Sequence, residues 1–147
     1  MSDKKTFTLD EAQSLLPVLK ALLARAVSGK QTVEESEKES QDLNHRILLS
    51  GGLFVDVPKI ARRRAERDKA VQTTRDALAE IEAIGVQVKD LDIGLLDFPC
   101  IVDDQIILLC WKLGEEKIEY WHGLEEGFRG RKRIDERILG KKKDKPN

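Results

Sequence analysis

Hydrophobic residues near the N-terminus follow the spacing of an α-helix that packs along one seam. Thr8 precedes the pattern and Glu11 follows three residues later, a pair that forms a capping box at a helix N-terminus. The apolar positions then alternate between spacings of three and four residues: Leu9, Ala12, Leu16, Leu19, Leu23 and Ala26. This spacing predicts a coiled coil or helical hairpin. Pro17 is expected to kink the helix, and Gly29 is expected to mark a break or a weak point.

The chain stays helical in character from residue 30 to residue 50 but loses most of its apolar positions. Those that remain are Val33, Leu43, Ile47 and Leu48, and acidic residues cover much of the rest: Glu34, Glu35, Glu37, Glu39 and Asp42. We expect this helix to be exposed or to pack along one narrow seam, and to end at Gly51-Gly52.

A second helical pattern begins at Pro58, which suits a first turn, and ends before Gly85, a typical residue just past a helix C-terminus. Its first half holds a basic cluster: Arg62, Arg63, Arg64 and Arg67. Antiparallel packing about Gly51-Gly52 would place this cluster beside the acidic stretch, although phosphate binding stays open as an alternative. The pattern predicts a long antiparallel helical hairpin or a three-helix array.

The period of the apolar pattern changes after Gly85 from about 3.6 to 2, which is typical of strands. Val86 and Val88 alternate with polar residues, and two longer apolar runs flank Asp103-Asp104, a two-residue turn. A further short run covers residues 118–122. These runs predict an antiparallel meander of three to four strands packed on the helices, so the expected fold class is α+β.

A trial register places Asp103-Asp104 and Glu115-Glu116 at two hairpin tips. One face then holds Leu96, Phe98, Cys100, Ile107, Leu109, Trp111, Ile118, Tyr120 and His122, and the other holds Asp97, Pro99, Cys110, Lys112, Glu119 and Trp121. The first tip pairs Asp97 with Cys110, and the second pairs Leu109 with His122. The two cysteines fall on opposite faces, which disfavours a disulfide, and Cys110 is separated from His122, which disfavours a catalytic thiol. A slip of one residue would exchange the faces.

Composition and charge exclude several classes of protein. A chain of 147 residues suits one domain, with a helical half at about 8–84, a sheet half at about 86–122, and a loop and basic tail at about 123–147. The net charge of −1 gives no overall preference for nucleic acid or membrane. The sequence contains no apolar run long enough to span a membrane, and its first residues are not expected to act as a signal peptide. Its two cysteines are expected to be reduced thiols in the cytoplasm.

The residues that suit chemistry gather between Asp90 and Arg131. Carboxylates and one imidazole suit a divalent metal ion: Asp90, Asp92, Asp97, Glu115 and His122. Aromatic and charged residues suit a pocket for an anion or a peptide: Trp111, Glu115, Trp121, His122, Phe128 and Arg131. Each set has a structural alternative, namely turn carboxylates beside a histidine at the edge of the core, and core aromatics with Arg131 paired to Glu115 or Asp97. No cofactor other than such a metal is predicted.

Four blocks of sequence resemble a bacterial domain of unknown function, family 2203. They are FTLDEAQSLLP, VKDLDIGLLDFP, LLCWKLGE and WHGLEEGFRGR, and the resemblance covers nearly the whole chain. It implies a single small bacterial cytoplasmic domain and supplies no activity. It also implies recurring motif positions without assigning them roles: Asp97, Trp111, Gly114, Glu115, Trp121, His122, Gly127, Phe128 and Arg131.

The leading functional hypothesis is a non-enzymatic interaction module that self-associates through its helices. The heptad spacing from Leu9 to Ala26 suggests the self-association, and the lack of a complete catalytic set favours a non-enzymatic role. One alternative is a small metal-dependent enzyme that uses the carboxylate and histidine set. Another is an RNA-binding or ribosome-binding protein that uses the basic tail, in which residues 129–145 contain nine Lys or Arg against three Asp or Glu. The alternative to RNA or ribosome binding is that the tail is exposed to solvent and binds no partner. The sequence does not decide whether the protein is an enzyme, although it favours a non-enzymatic protein.

Overall fold

A computed structural model describes residues 5–51, 56–135 and 138 of the chain. It contains two long helices, α1 (Leu9–Leu49) and α2 (Val57–Ile84), followed by five strands: β1 (Gln87–Asp90), β2 (Leu95–Val102), β3 (Gln105–Lys112), β4 (Tyr120–Gly123) and β5 (Lys132–Arg133). A single 3-10 turn, Phe128–Gly130, precedes β5. The predicted α+β class is therefore confirmed, and the sheet has at least one strand more than the predicted three to four.

The helix α1 begins at the predicted capping box. The backbone N–H of Thr8 donates to the Glu11 carboxylate at 2.8 Å, and the N–H of Glu11 donates to the Thr8 hydroxyl at 3.1 Å. The helix then continues for 41 residues, through Pro17 and Gly29. The predicted break at Gly29 and the three-helix array are therefore wrong. A Cβ atom at Gly29 would collide with the Thr74 hydroxyl of α2, so the glycine permits close approach of the two helices.

The helix α2 also begins and ends at the predicted places. Asp56 caps the N-terminus of α2, because its carboxylate accepts a hydrogen bond from the backbone N–H of Lys59 at 3.1 Å. Gly85 follows its end with a φ of +107°, a left-handed conformation that favours glycine. The predicted pairing of the basic cluster with the acidic stretch is confirmed by ion pairs from Arg63 to Glu39 at 2.9 Å and from Arg67 to Glu37 at 4.0 Å. The helices thus form an antiparallel hairpin.

The strands form an antiparallel meander in the order β1-β2-β3-β4-β5. Asp103 and Asp104 form the predicted turn between β2 and β3 with φ values of 52° and 62°, the conformation of a type I′ hairpin turn. Asp97 lies opposite Cys110, as predicted. The residues on the core face of β2 and β3 are buried: Leu96, Phe98, Cys100, Ile107, Leu109 and Trp111. The Phe98 ring meets the Phe7 ring edge-on at 5.9 Å between centroids.

The register between β3 and β4 differs from the prediction by one residue. Leu108 pairs with His122, and Cys110 pairs with Tyr120. Glu115-Glu116 is not the tip of a tight hairpin, because β3 ends at Lys112 and β4 begins only at Tyr120. Between them, the Gln13 side chain accepts the backbone N–H of Ile118 at 3.0 Å and donates to its carbonyl at 3.5 Å.

This difference exchanges the faces of β4. His122 and Tyr120 lie on the face of Asp97 and Cys110, while Trp121 lies on the core face. The Glu119 carboxylate lies 3.5 Å from the Arg133 guanidinium. The two cysteines are unpaired, buried and on opposite faces, as predicted.

The described residues form two compact units. The first contains the residues up to Leu23 and from Leu78 onward, including the whole sheet, and the second is the helical segment Ala24–Ala77. The predicted organisation as a single domain stays a prediction. Within the described ranges, neither helix is long and apolar enough to cross a membrane.

Parts of two predicted features lie outside the described residues. They are Gly52 of the interhelical turn and most of the basic tail, of which only residues 129–135 and 138 are described.

Candidate functional site

Three neighbouring strands bring Asp97, Cys110 and His122 together on one face of the sheet. Asp97 of β2 pairs directly with Cys110 of β3. His122 of β4 pairs with Leu108, two residues before Cys110, so its side chain lies diagonally beside the cysteine. The three residues are 1%, 0% and 2% exposed, respectively. One potential ligand atom from each lies within 4.8 Å of the other two.

The imidazole of His122 lies between two kinds of acceptor. Its Nδ1 lies 2.8 Å from the carbonyl oxygen of Gly123, which only accepts hydrogen bonds, so Nδ1 must bear a proton. Its Nε2 lies 3.1 Å from both carboxylate oxygens of Asp97. In a neutral imidazole that Nε2 presents a lone pair to the carboxylate. A proton or a cation must therefore lie between His122 and Asp97.

Burial shifts the titration of the other two groups towards their neutral forms. It raises the pKa of the Asp97 carboxyl, against the opposing effect of His122. It also raises the pKa of the Cys110 thiol to about 11, against a hydrogen bond from Arg131. Cys110 is therefore a neutral thiol at pH 7, which is a poor nucleophile. The sequence disfavoured a catalytic thiol because its register placed Cys110 and His122 on opposite faces. That placement is wrong, since both residues lie on one face.

Arg131 covers the cysteine side of this cluster. Its Nη2 bonds to Glu115 Oε2 at 2.5 Å, and its Nη1 lies 3.7 Å from Cys110 Sγ. The guanidinium also lies over two rings, at 4.0 Å from the Tyr120 centroid and 4.5 Å from that of Phe128. The hydrogen bonds and ring contacts of Arg131 are therefore made within the chain. This agrees with the structural alternative to a ligand pocket, in which Arg131 pairs with Glu115.

A family model described as "uncharacterized conserved protein" (DUF2203) matches residues 5–134. The chain belongs to the DUF2203 family. The resemblance inferred from four sequence blocks is thereby confirmed. The match spans both helices and all five strands, so the cluster of Asp97, Cys110 and His122 lies within the DUF2203 domain. No curated protein and no solved structure matches this chain.

The DUF2203 structure divides the predicted metal-binding set. Asp97 and His122 lie together, but Glu115 is bonded to Arg131. Asp90 and Asp92 are exposed near the turn after β1, where Asp90 accepts the backbone N–H of Asp92 at 2.9 Å. Sequence reasoning missed Cys110 as a partner of His122 because the register was one residue out. The pairing of Asp97 with Cys110 at the first hairpin was the available signal.

The structure also divides the predicted ligand-binding set. Trp111 is buried on the core face, where its indole N–H donates to the Glu115 carbonyl at 3.0 Å. Trp121 lies on the same face, with the Lys132 ammonium 4.5 Å from its ring. His122 lies on the opposite face, as does Tyr120, over which Arg131 stacks. The six residues therefore do not line one common pocket in this DUF2203 domain.

The helical segment 24–77 offers a second candidate surface. Among its described residues only Ala26, Gly29, Ala70 and Ala77 are buried, and from residue 30 to residue 69 none is. Leu48, Leu49 and Val57 are 82%, 75% and 66% exposed. A groove of about 440 Å³ runs along the two helices, lined by Ser36, Glu37, Ser40, Gln41, Leu43, Asn44, Ile60, Arg63, Arg64, Arg67 and Asp68. This segment thus has a mixed polar and apolar surface with little core of its own.

Proposed function

We propose that this protein is a non-enzymatic cytoplasmic interaction module that self-associates through the helical segment 24–77. The observation that supports the proposal is the lack of any buried residue among those described from 30 to 69. Long helices in water are stabilised mainly by burying one apolar face. A second copy that covers the segment would provide the burial that two helices alone do not.

Ion pairs within the hairpin are too weak to replace that burial. The side chains of Arg63, Glu39, Arg67 and Glu37 are roughly one-third to one-half exposed in their pairs. Exposed pairs of this kind contribute about 0–1 kcal/mol each, since water and salt screen them. They align the two helices without supplying the main stabilisation.

The charge distribution favours a second copy as the partner. The acidic stretch lies on α1 and the basic cluster lies on α2, and both contain exposed side chains, among them Glu34, Glu35, Arg62 and Arg64. A two-fold axis would place the acidic stretch of one copy against the basic cluster of the other, so the surface is self-complementary. The exposed Leu48, Leu49 and Val57 would add apolar area to the same interface.

The chemistry of the sheet supports a non-enzymatic role. Cys110 is a buried neutral thiol, and Arg131 is occupied by Glu115 and two aromatic rings. The two unpaired cysteines suit the reducing environment of a cytoplasm. An anion or a peptide that binds near Arg131 would have to displace Glu115.

The alternative is a metal-dependent enzyme, and one observation favours it: Asp97 and His122 lie 3.1 Å apart. The other carboxylates of the predicted set lie elsewhere, so an enzyme would have to use Cys110 in place of Asp90, Asp92 and Glu115.

Light scattering coupled to size-exclusion chromatography of the full chain tests self-association. We expect a dimer for the unsubstituted protein and a monomer for the double variant Leu48→Glu/Leu49→Glu, because buried glutamates would have to lose their hydration. Leu124→Glu is the matched control, since Leu124 is 62% exposed but belongs to the other unit. We expect that variant to remain a dimer. A monomeric unsubstituted protein at all concentrations, or a double variant that stays dimeric, would refute the proposal.

A further inference from the structure

Asp97, Cys110 and His122 form a cluster that the proposed self-association does not use. They come from β2, β3 and β4, and the strand pairing fixes their relative positions. Three adjacent strands form a rigid base, which is the kind of support that a preorganised binding site needs. The three side chains are also buried, so the cluster is not a chance grouping of surface charges.

We propose that these three residues are a binding site for one Zn²⁺ ion, with Asp97, Cys110 and His122 as its protein ligands. A carboxylate, a thiolate and an imidazole together suit zinc, whereas Mg²⁺ and Ca²⁺ prefer oxygen ligands only. Zinc is held in structural sites by four ligands and in open sites by three plus a water, so three protein ligands correspond to the open arrangement.

The orientation of His122 is the observation that points to a cation. Metal-binding histidines usually donate the N–H of the other ring nitrogen to a carbonyl or carboxylate, which fixes the tautomer. His122 has this arrangement, because its Nδ1 lies 2.8 Å from the Gly123 carbonyl while its Nε2 faces the Asp97 carboxylate. Nε2 lies at the same distance from both carboxyl oxygens of Asp97, so its lone pair is directed at the carboxyl group, where a cation could bind between them.

The separations of the ligand atoms are close to those of a zinc site. Bonds of about 2.0–2.3 Å from zinc to nitrogen, oxygen and sulfur place the ligand atoms about 3–4 Å from one another. The atoms of the three residues lie within 4.8 Å of one another. Closing the site around the ion therefore requires side-chain movements of about 1 Å, without a change in strand pairing.

The charges around the cluster also balance with a divalent ion. Zn²⁺ would displace the proton of the Cys110 thiol to solvent, and the resulting thiolate and the Asp97 carboxylate would balance the two positive charges of the ion. Arg131 beside the cysteine is itself neutralised by Glu115. A neutral total matters here because an uncompensated charge in a buried site is costly.

Binding of cobalt and zinc to the full chain, after treatment with a chelator, tests this site. Co²⁺ is the probe, since a thiolate ligand gives a thiolate-to-cobalt charge-transfer absorption. We expect that band at one Co²⁺ per chain, its loss when Zn²⁺ is added, and a rise in melting temperature with Zn²⁺. Cys110→Ser should remove the band, and Asp97→Asn and His122→Gln should weaken Co²⁺ binding by more than about tenfold.

Cys100→Ser and His45→Gln are the matched controls. Cys100 is a buried thiol on the opposite face of the sheet, and His45 is an exposed histidine on α1. Both variants should bind Co²⁺ as the unsubstituted protein does. If a ligand variant fails to fold, the comparison of the unsubstituted protein with Cys100→Ser is sufficient. A charge-transfer band that persists in Cys100→Ser assigns the thiolate ligand to Cys110. No band and no Zn²⁺-dependent rise in melting temperature would refute the site, and would mean that Asp97 and His122 share only a proton.

Discussion

Glu126 stabilises the loop that follows β4 through two hydrogen bonds. Its carboxylate accepts a hydrogen bond from the ammonium group of Lys132 at 2.7 Å and another from the backbone N–H of Gly123 at 2.8 Å. Both bonds favour the charged form, and the one from Lys132 is the larger cause, so the pKa of Glu126 is lowered from its ordinary value. The loop that leads to Arg131 therefore depends on the ionisation of an exposed residue.

Replacement of Lys132 by alanine is expected to raise the pKa of Glu126 towards its ordinary value. Because the pKa is lowered in the folded state, the stabilisation by this carboxylate is present above the unfolded pKa and is lost as the pH falls through the folded pKa. An NMR titration of the Glu126 carboxyl group measures the shift directly. Lys117→Ala, which removes an exposed lysine from the preceding loop, is the control. An unchanged pKa of Glu126 in Lys132→Ala would contradict the assignment.

Single residues also show how far sequence reasoning reaches in the candidate site. The pairing of Asp97 with Cys110 follows from the two-residue turn at Asp103-Asp104, because a short turn fixes its own register. The position of His122 does not follow from local pattern. It depends on Gln13, which binds Ile118 from 105 residues away. A contact between such distant residues leaves no periodic signal in either segment.

Among the elements, the helical hairpin depends on close approach at Gly29. A Cβ atom there would collide with the Thr74 hydroxyl and would lie 3.1 Å from the Ala70 carbonyl oxygen. The sequence suggested a break at this position because glycine is a poor helix former. The actual role depends on which residues of the second helix face it, and hydrophobic spacing alone does not specify them.

Gly29→Ala is therefore expected to destabilise the protein although alanine favours helices. Overpacking costs about 1–3 kcal/mol, and the better helix propensity offsets about 1 kcal/mol, so we expect a net loss of about 1 kcal/mol. Urea unfolding followed by circular dichroism measures it. Gly127→Ala is the control, since a Cβ atom there meets nothing within 4 Å. Gly29→Ala should cost less in a Thr74→Ala background, and a stabilising effect in the unsubstituted background would show that the helices do not meet there.

The sequence predicted well those elements that are specified by a few neighbouring residues. The capping box of Thr8 and Glu11, the turn at Asp103-Asp104 and the end of α2 at Gly85 each rest on a few adjacent residues. Short paired segments were harder to predict. The two-residue strand β5 was missed because its pairing with Tyr120 and Trp121 depends on the path of the preceding loop.

At the scale of the whole molecule, the two compact units differ in how they bury apolar surface. The unit that contains the sheet has most of the buried hydrophobic residues, among them Leu19, Phe98 and Trp111. Among the described residues of the helical unit 24–77, only small ones are buried, namely Ala26, Gly29, Ala70 and Ala77. We propose that a second copy of the chain covers the helical unit. Sequence spacing suggested this association, but it extended the apolar seam only as far as Ala26.

Amide hydrogen exchange at several protein concentrations tests that claim most directly, because association stabilises the folded helices by mass action. We predict that exchange in residues 30–49 and 57–69 becomes slower as the concentration rises, while exchange in β2 and β3 stays the same. Exchange rates in the two helical segments that do not change with concentration would contradict the account.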